Sequence, residues 1–352
     1  MNEKIKIYKN YFKLFNIKNL NRYDKYFLFT NLTKEKVDII EILPLSAKKE
    51  FLKEFDKSLK ILCQRDTEHY VDKLKKYNVL FRSFENIVID KLAIKSYLEV
   101  EKNETIKSCL RTFKNNKKLK YDIYKTTTGR LVISSGPQVL LLPAKNRSII
   151  KSKFKNGKIL SVDFSSLEPR VCLKLSGKEV KSDIYTEISN MLTFNADRSV
   201  IKRATISLLY GASYKSLLNL NISEERAKEL YNIIVEYFGF DKLLPAASYV
   251  NEVGLRKNFF GRPINNIGEE KKNVLLNNYV QSTAVDISMT YFSILVEKVN
   301  KNNCRPLFVL HDAIVFDVKN DYIEEFFKIT NEGYSDHKLG YFPLKVEEFS
   351  KK

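Results

Sequence analysis

Two aspartates mark where this sequence could do chemistry. Asp163 closes the apolar run Lys158-Ile-Leu-Ser-Val162 and is followed by Phe164-Ser-Ser-Leu-Glu168-Pro-Arg170. Asp312 follows His311 in the very short connection between two β-rich runs, Arg305–Leu310 and Ile314–Val318. A carboxylate at a strand end points into the open edge of a sheet. There a hard cation such as Mg²⁺ takes one or two carboxylates and fills its shell with phosphate oxygens and water. Each aspartate also has a plainer reading when taken alone: Asp163 as a helix N-cap, Asp312 as a turn residue bonding its own backbone. Between them, Arg198, Lys202, Ile206 and Tyr210 recur every four residues, with Gly211 next. That spacing keeps them on one slowly turning helix face. Two cations one turn apart can grip a triphosphate, and the aromatic offers a surface to a base. By itself the same helix reads as an exposed cationic face with Tyr210 in the core. Together, the parts are those of two-metal nucleotidyl transfer on a nucleic-acid end.

The elements that must position these residues are legible in outline. Residues 1–120 carry helix-compatible apolar spacing, as in Leu92, Ile94, Tyr97 and Leu98, up to the break at Asn115-Asn-Lys-Lys118. From Tyr121 to Leu142 the pattern changes to short β-like runs around Gly129 and Gly136. The Asn156-Gly157 turn signal then introduces the strand that ends at Asp163, and Pro169 suits the first turn of the helix after it. Residues 184–260 read as mostly helical, and the runs flanking His311-Asp312-Ala313 read as a hairpin. No internal repeat and no long Ser/Gly linker divides the chain.

Composition narrows the partners. The 352 residues carry a net charge of +19, with 44% hydrophobic and 12% aromatic side chains, which excludes disordered and collagen-like sequence. A surplus of that size favours a polyanion or an anionic membrane surface. Residues 101–158 hold fifteen Lys and Arg against Glu101, Glu104 and Asp122, interleaved with Phe113, Tyr121, Tyr124 and Phe154. That mixture suits contact with a phosphate backbone, and a solvated lysine-rich face is its bland alternative. Turn chemistry at Thr126–Arg130 and at Gly136-Pro137 argues against a membrane-surface helix. No window reads as a signal peptide or a membrane span. Cys63, Cys109, Cys172 and Cys304 lie far apart beside only three His, and read as reduced thiols of a cytoplasmic protein.

At this level of detail the sequence resembles the polymerase domain of family A, polymerase I-like, DNA polymerases. Asp163-Phe-Ser-Ser-Leu-Glu168-Pro-Arg170 looks like motif A, Arg198-x₃-Lys202-x₇-Tyr210-Gly211 like motif B, and His311-Asp312 like motif C. Thr128-Gly129-Arg130, Phe260-Gly261-Arg262 and the pair Asn277 and Gln281 resemble three further family segments.

The resemblance implies an α+β right-hand fold. Residues 1–120 would be a short helical thumb, 121–190 and 270–352 a palm built on an antiparallel sheet, and 191–269 helical fingers. Asp163 and Asp312 would hold two Mg²⁺ ions, with Mn²⁺ able to substitute. Arg198 and Lys202 would bind the incoming dNTP, with Lys202 the candidate proton donor to pyrophosphate. Ile206 would lie at the nucleotide, Tyr210 and Gly211 near the template, and Glu168 beneath the sugar. Arg130, Asn277, Gln281 and His311 would touch primer–template DNA. Only about 120 residues precede the Thr-Gly-Arg segment and the thumb needs them, so no proofreading exonuclease is expected, synthesis is expected to be distributive, and the protein is expected to be a monomer.

Several positions depart from the family pattern. Ile206 replaces an aromatic, Ala313 a Glu, Asn273 an Arg, and Leu140-Leu141 polar residues. The motif B pattern and Ala313 also suit a phage-type single-subunit RNA polymerase, whereas Glu168 and its neighbours are of the DNA-polymerase kind. A catalytically inactive nucleic-acid-binding protein and a template-independent nucleotide-adding enzyme are the remaining alternatives.

Overall fold

The computed structural model describes residues 65–351, apart from 115–117, 181–182, 252–254 and 265–270, together with Leu45, Lys48, Lys49, Leu52 and Lys53. The rest of the expected helical lobe before residue 65, and Cys63 with it, lies outside the described residues.

The described chain starts with helix α1 (Arg65–Ser83), strand β1 (Val88–Ile89), and helices α2 (Lys91–Val100) and α3 (Glu104–Arg111). Asp90 and Asn103 cap α2 and α3 by accepting from backbone N–H groups of their first turns, as helix N-caps do. Short strands β2 (Lys120–Asp122), β3 (Val132–Ser135) and β4 (Ile150–Lys151) lead into β5 (Gly157–Phe164). A helical stretch follows: α4 (Leu167–Leu175), α5 (Ile184–Met191), α6 (Arg198–Leu209), α7 (Tyr214–Leu217), α8 (Glu224–Phe238) and α9 (Phe240–Ser248). The strand pair β6 (Arg256–Lys257) and β7 (Pro263–Ile264) precedes the long helix α10 (Lys272–Lys298). Then come β8 (Cys304–Leu310), β9 (Ala313–Lys319), α11 (Ile323–Asn331), β10 (Tyr334–Asp336), β11 (Gly340–Phe342) and β12 (Leu344–Glu348).

The centre is a four-stranded antiparallel sheet in the order β12-β5-β9-β8. Its two faces serve two cores, as the period-2 alternation of strands requires. Leu160, Val162 and Phe164 of β5 and Ile314, Phe316 and Val318 of β9 face a large core shared with α10, α1 and the helices between β5 and β6. Ile159 and Val315 face a second core, built with Ile94, Leu110, Phe113, Ile133 and Ile149. The described apolar residues of the basic stretch, from Cys109 to Ile150, thus pack on the back of the sheet, and Ile87, Ile89 and Ile94 share that core with them. Helix α10 is buried on nearly every side, so no amphipathic stripe announces it.

One buried polar network ties these parts together. Asp286, fully buried in α10, accepts hydrogen bonds from the hydroxyls of Tyr70 (3.1 Å) and Tyr77 (3.2 Å) on α1 and from Asn258 Nδ2 (2.7 Å). The buried Arg262 donates to Tyr70 Oη (2.9 Å) and to the carbonyl of Ile123 (2.7 Å). Its guanidinium lies against Gly129, whose φ of +78° and lack of a Cβ both serve this contact, since a Cβ there would overlap the guanidinium. The Thr-Gly-Arg and Phe-Gly-Arg segments, 132 residues apart in sequence, therefore meet in the fold. Among the described residues no helix is long and apolar enough to cross a membrane.

Candidate active site

The antiparallel register of β5 and β9 brings the two aspartates together. Asp163 lies opposite Ala313, and Asp312 is the next residue along, in the turn closed by the Leu310–Ala313 pair. The amide of Phe164 donates to the carbonyl of Asp312 (3.4 Å). Asp163 sits inside the strand, and the N-cap position of α4 belongs to Ser166, so the helix-cap reading of Asp163 does not hold. Among the described residues only Ser166 (φ 55°), Asn221 and His311 (φ 53°) are non-glycines with positive φ. Two of these three flank the aspartates. Backbone strain of this kind persists only where surrounding structure imposes it, and it gathers at functional sites. Arg170 secures the turn after β5, its Nε donating to the carbonyl of Ser165 (2.9 Å).

The charges around the pair are unbalanced toward the negative. Burial pushes the carboxyl of Asp312 up to about 7; Glu168 and Asp163 push the same way, and Arg130 opposes them. His311 is held below its ordinary value by burial and by the cations of Arg130 and Arg147, against the pull of Asp163. Arg147 itself is lowered by burial and raised by Asp163. A half-buried carboxylate made reluctant to ionise by burial and acidic neighbours is one whose charged form a bound cation would favour. Among the described residues no group of three or more His, Cys, Asp or Glu is assembled that could hold a metal ion alone. Two carboxylates without further protein ligands fit Mg²⁺, which keeps several waters and takes substrate phosphate oxygens.

Arg130 bridges this site to helix α6. Its Nη2 donates to Glu168 Oε1 (2.9 Å) and to Tyr210 Oη (2.6 Å), and its guanidinium lies 5.2 Å from the centre of the Tyr210 ring. Glu168 is buried and Tyr210 is 42% exposed, so the trio runs from the floor of the site to its rim. Beside it a cleft of about 200 Å³ is lined by Arg130, Leu140, Met289, His311 and Asp312, among others. Leu140 is thus part of the cleft wall, while Leu141 is exposed.

The remaining candidates occupy other settings. Arg198, the first residue of α6, is paired with Asp183 and lies 4.9 Å from the centre of the Tyr185 ring. Lys202 is exposed, with no hydrogen bond or ion pair among the described residues, and Ile206 is half-buried. Tyr210 closes the helix, contrary to a core placement, and Gly211 (φ +84°) accepts a hydrogen bond at its carbonyl from Asn273 Nδ2. Asn277 is half-buried. Gln281 is buried and accepts from the Thr128 hydroxyl (2.6 Å), which commits its oxygen to the Thr-Gly-Arg turn. The structure therefore gathers Asp163, Asp312, Glu168, Arg130, Tyr210 and His311. It holds Arg198, Gly211 and Gln281 on Asp183, Asn273 and Thr128. Sequence reasoning missed Arg147, Asp183 and Tyr185. Arg147 was visible only as one charge in the basic run, and Asp183 only as a helix-cap residue before Ile184.

Comparison with known proteins identifies the family and a similar fold. The model of DNA polymerase family A matches residues 85–349. Among solved structures, the chain is similar to the POL domain of Pol1 from M. smegmatis in complex with DNA primer-template and dNTP. The TM-score is 0.58 and the identity 18%, over 72% of this chain and 51% of that one, so the chain spans about half the length of that structure. A search of curated protein sequences found no match.

Proposed function

The chain belongs to DNA polymerase family A, and on that premise we propose that it extends a primer 3′-hydroxyl with dNTPs under the direction of a DNA template. The observation that carries this reading is the meeting of Asp163 and Asp312 across β5 and β9, with the carboxyl of Asp312 pushed up to about 7 by burial and acidic neighbours. Asp163 and Asp312 would hold two Mg²⁺ ions. When bound, such a pair lowers the pKa of the attacking hydroxyl and offsets charge on the leaving pyrophosphate.

The chain's own residues supply the rest. Arg198 and Lys202, one turn apart on α6, bind the triphosphate through charge-assisted hydrogen bonds, and Lys202 Nζ carries a proton for the departing pyrophosphate. Glu168, fixed by Arg130, bounds the space for the sugar, and its buried carboxylate disfavours an extra hydroxyl there. Tyr210 stands at the rim near the templating base, with Gly211 behind it. Arg130, His311, Asn277 and Gln281 meet the primer–template, Gln281 through its remaining amide donors. The basic residues between 101 and 158 supply sequence-independent grip on the phosphate backbone.

The test is extension of a labelled primer on a DNA template with Mg²⁺ and either dNTPs or rNTPs. Template-coded dNTP addition with much weaker rNTP use supports the reading. Equal or better use of rNTPs would move the protein to the RNA-synthesising branch suggested by Ile206 and Ala313.

A further inference from the structure

Arg198 is not waiting free for a phosphate. Its Nη2 donates to Asp183 Oδ1 (2.7 Å) and its Nε to Asp183 Oδ2 (3.3 Å), the side-on, two-point geometry in which guanidinium also takes phosphate. One face of the same guanidinium lies on the ring of Tyr185. Tyr185 is itself buried, and its hydroxyl accepts from Ser166 Oγ (3.3 Å) in the strained turn between Asp163 and Glu168. Position adds to the argument. Arg198 opens α6, where a cation opposes the helix dipole, the first turn carries no acidic residue, and Asp197 makes no capping bond. Asp183, from the N-cap of the neighbouring helix α5, adds a carboxylate at that end beside Asp197.

Asp183 can also let go. Its Oδ2 accepts from the amide (3.1 Å) and hydroxyl (3.0 Å) of Thr186, so losing Arg198 does not leave the carboxylate without partners. Arg198 would keep its support on Tyr185. The side chains are 61% and 40% exposed, and a pair in that setting is worth at most about 1 kcal/mol, equivalent to about fivefold in an equilibrium constant.

We propose that Asp183 stands in for the nucleotide's phosphates: it occupies the Arg198 donors in the nucleotide-free protein, and an incoming triphosphate binds by displacing it from a guanidinium that Tyr185 keeps in place. This rests on the polymerase reading, and it makes Asp183 a positioning residue that sets nucleotide affinity.

The experiment measures equilibrium binding of dATP with Mg²⁺ to the protein on a primer–template whose primer lacks a 3′-hydroxyl. The proteins are wild type, Asp183→Asn, and Asp183→Ser as a second variant that also preserves the cap of α5. Both variants are expected to bind dATP two- to fivefold more tightly, and the gain is expected to vanish when Arg198→Ala is added. A gain in affinity is not what a merely structural lesion produces. Unchanged or weaker binding in both variants, or the same gain without Arg198, overturns the exchange while the polymerase reading stands. If folded wild type binds primer–template but no dATP, the polymerase reading itself fails and takes the exchange with it.

Discussion

Replacing Asp312 with Asn should make the metal-free protein more stable while destroying its activity. In the folded state the carboxyl of Asp312 is pushed from its ordinary 3.8 up to about 7, first by burial and then by Glu168 and Asp163. The difference between 3.8 and about 7 corresponds to about 4 kcal/mol for a group shielded from solvent. Asp312 is only half-buried, and solvent screening brings the expected effect to about 1–2 kcal/mol. The sign follows from linkage. A carboxyl with a raised folded-state value binds its proton more tightly in the folded than in the unfolded chain. Its favourable contribution is therefore complete below about pH 4 and is lost as pH rises toward 7. Asn carries no charge to lose. The variant and wild type should unfold at similar temperatures near pH 4.5, and the variant should melt about 2–4 °C higher at pH 8 in the presence of a chelator. Adding Mg²⁺ at pH 8 should raise the melting temperature of wild type and leave the variant nearly unmoved. Thermal unfolding followed by circular dichroism reads both effects. A variant less stable than wild type at pH 8, or a gap that does not change with pH, would refute the charge argument.

Two further outcomes are expected. Lys202→Ala should lower kcat about 100-fold in single-nucleotide addition without changing the melting temperature, because Lys202 is exposed and tied to no neighbour among the described residues; an activity loss below about threefold would remove it from the mechanism. Asp286→Ala should destabilise the protein by about 3 kcal/mol in urea unfolding, since it removes the carboxylate that accepts from the Tyr70 and Tyr77 hydroxyls and from Asn258 Nδ2 beside the buried Arg262. A loss under 1 kcal/mol would mean that the network does not hold α1 to α10.

What could be read from the sequence was local. The strand at Asp163 announced itself through an Asn-Gly turn and an unbroken apolar run, and the hairpin at Asp312 through two β-rich runs separated by a minimal turn. Pro169 correctly marked the first turn of α4, which spans Leu167–Leu175. What could not be read depends on contacts between distant segments. Nothing near residue 344 says that β12 pairs with β5 rather than with its sequence neighbours. The apolar residues of α10 surround the helix, so pattern alone did not expose it, and Asn277 and Gln281 entered only through the resemblance. The site divides in the same way. Spacing found the two aspartates and the cations of α6, but the hold of Asp183 on Arg198, and the approach of Arg147 to Asp163, arise only when separate elements pack together. Gln281 shows the limit most plainly. The resemblance placed it at the nucleic acid, and nothing in the sequence says that its oxygen accepts from Thr128.

The central claim is that Asp163 and Asp312 form one catalytic centre for template-coded nucleotide addition. Rapid-quench measurement of a single dNTP added to a primed DNA template tests it most directly, with wild type, Asp163→Ala and Asp312→Ala compared at saturating Mg²⁺. The account predicts addition of the template-coded nucleotide by wild type and a loss of at least 1000-fold in each variant, with primer–template binding retained, since removing a group central to metal-assisted catalysis costs that order of rate. Wild type that binds primer–template yet adds nothing, or either variant within tenfold of wild type, would contradict it.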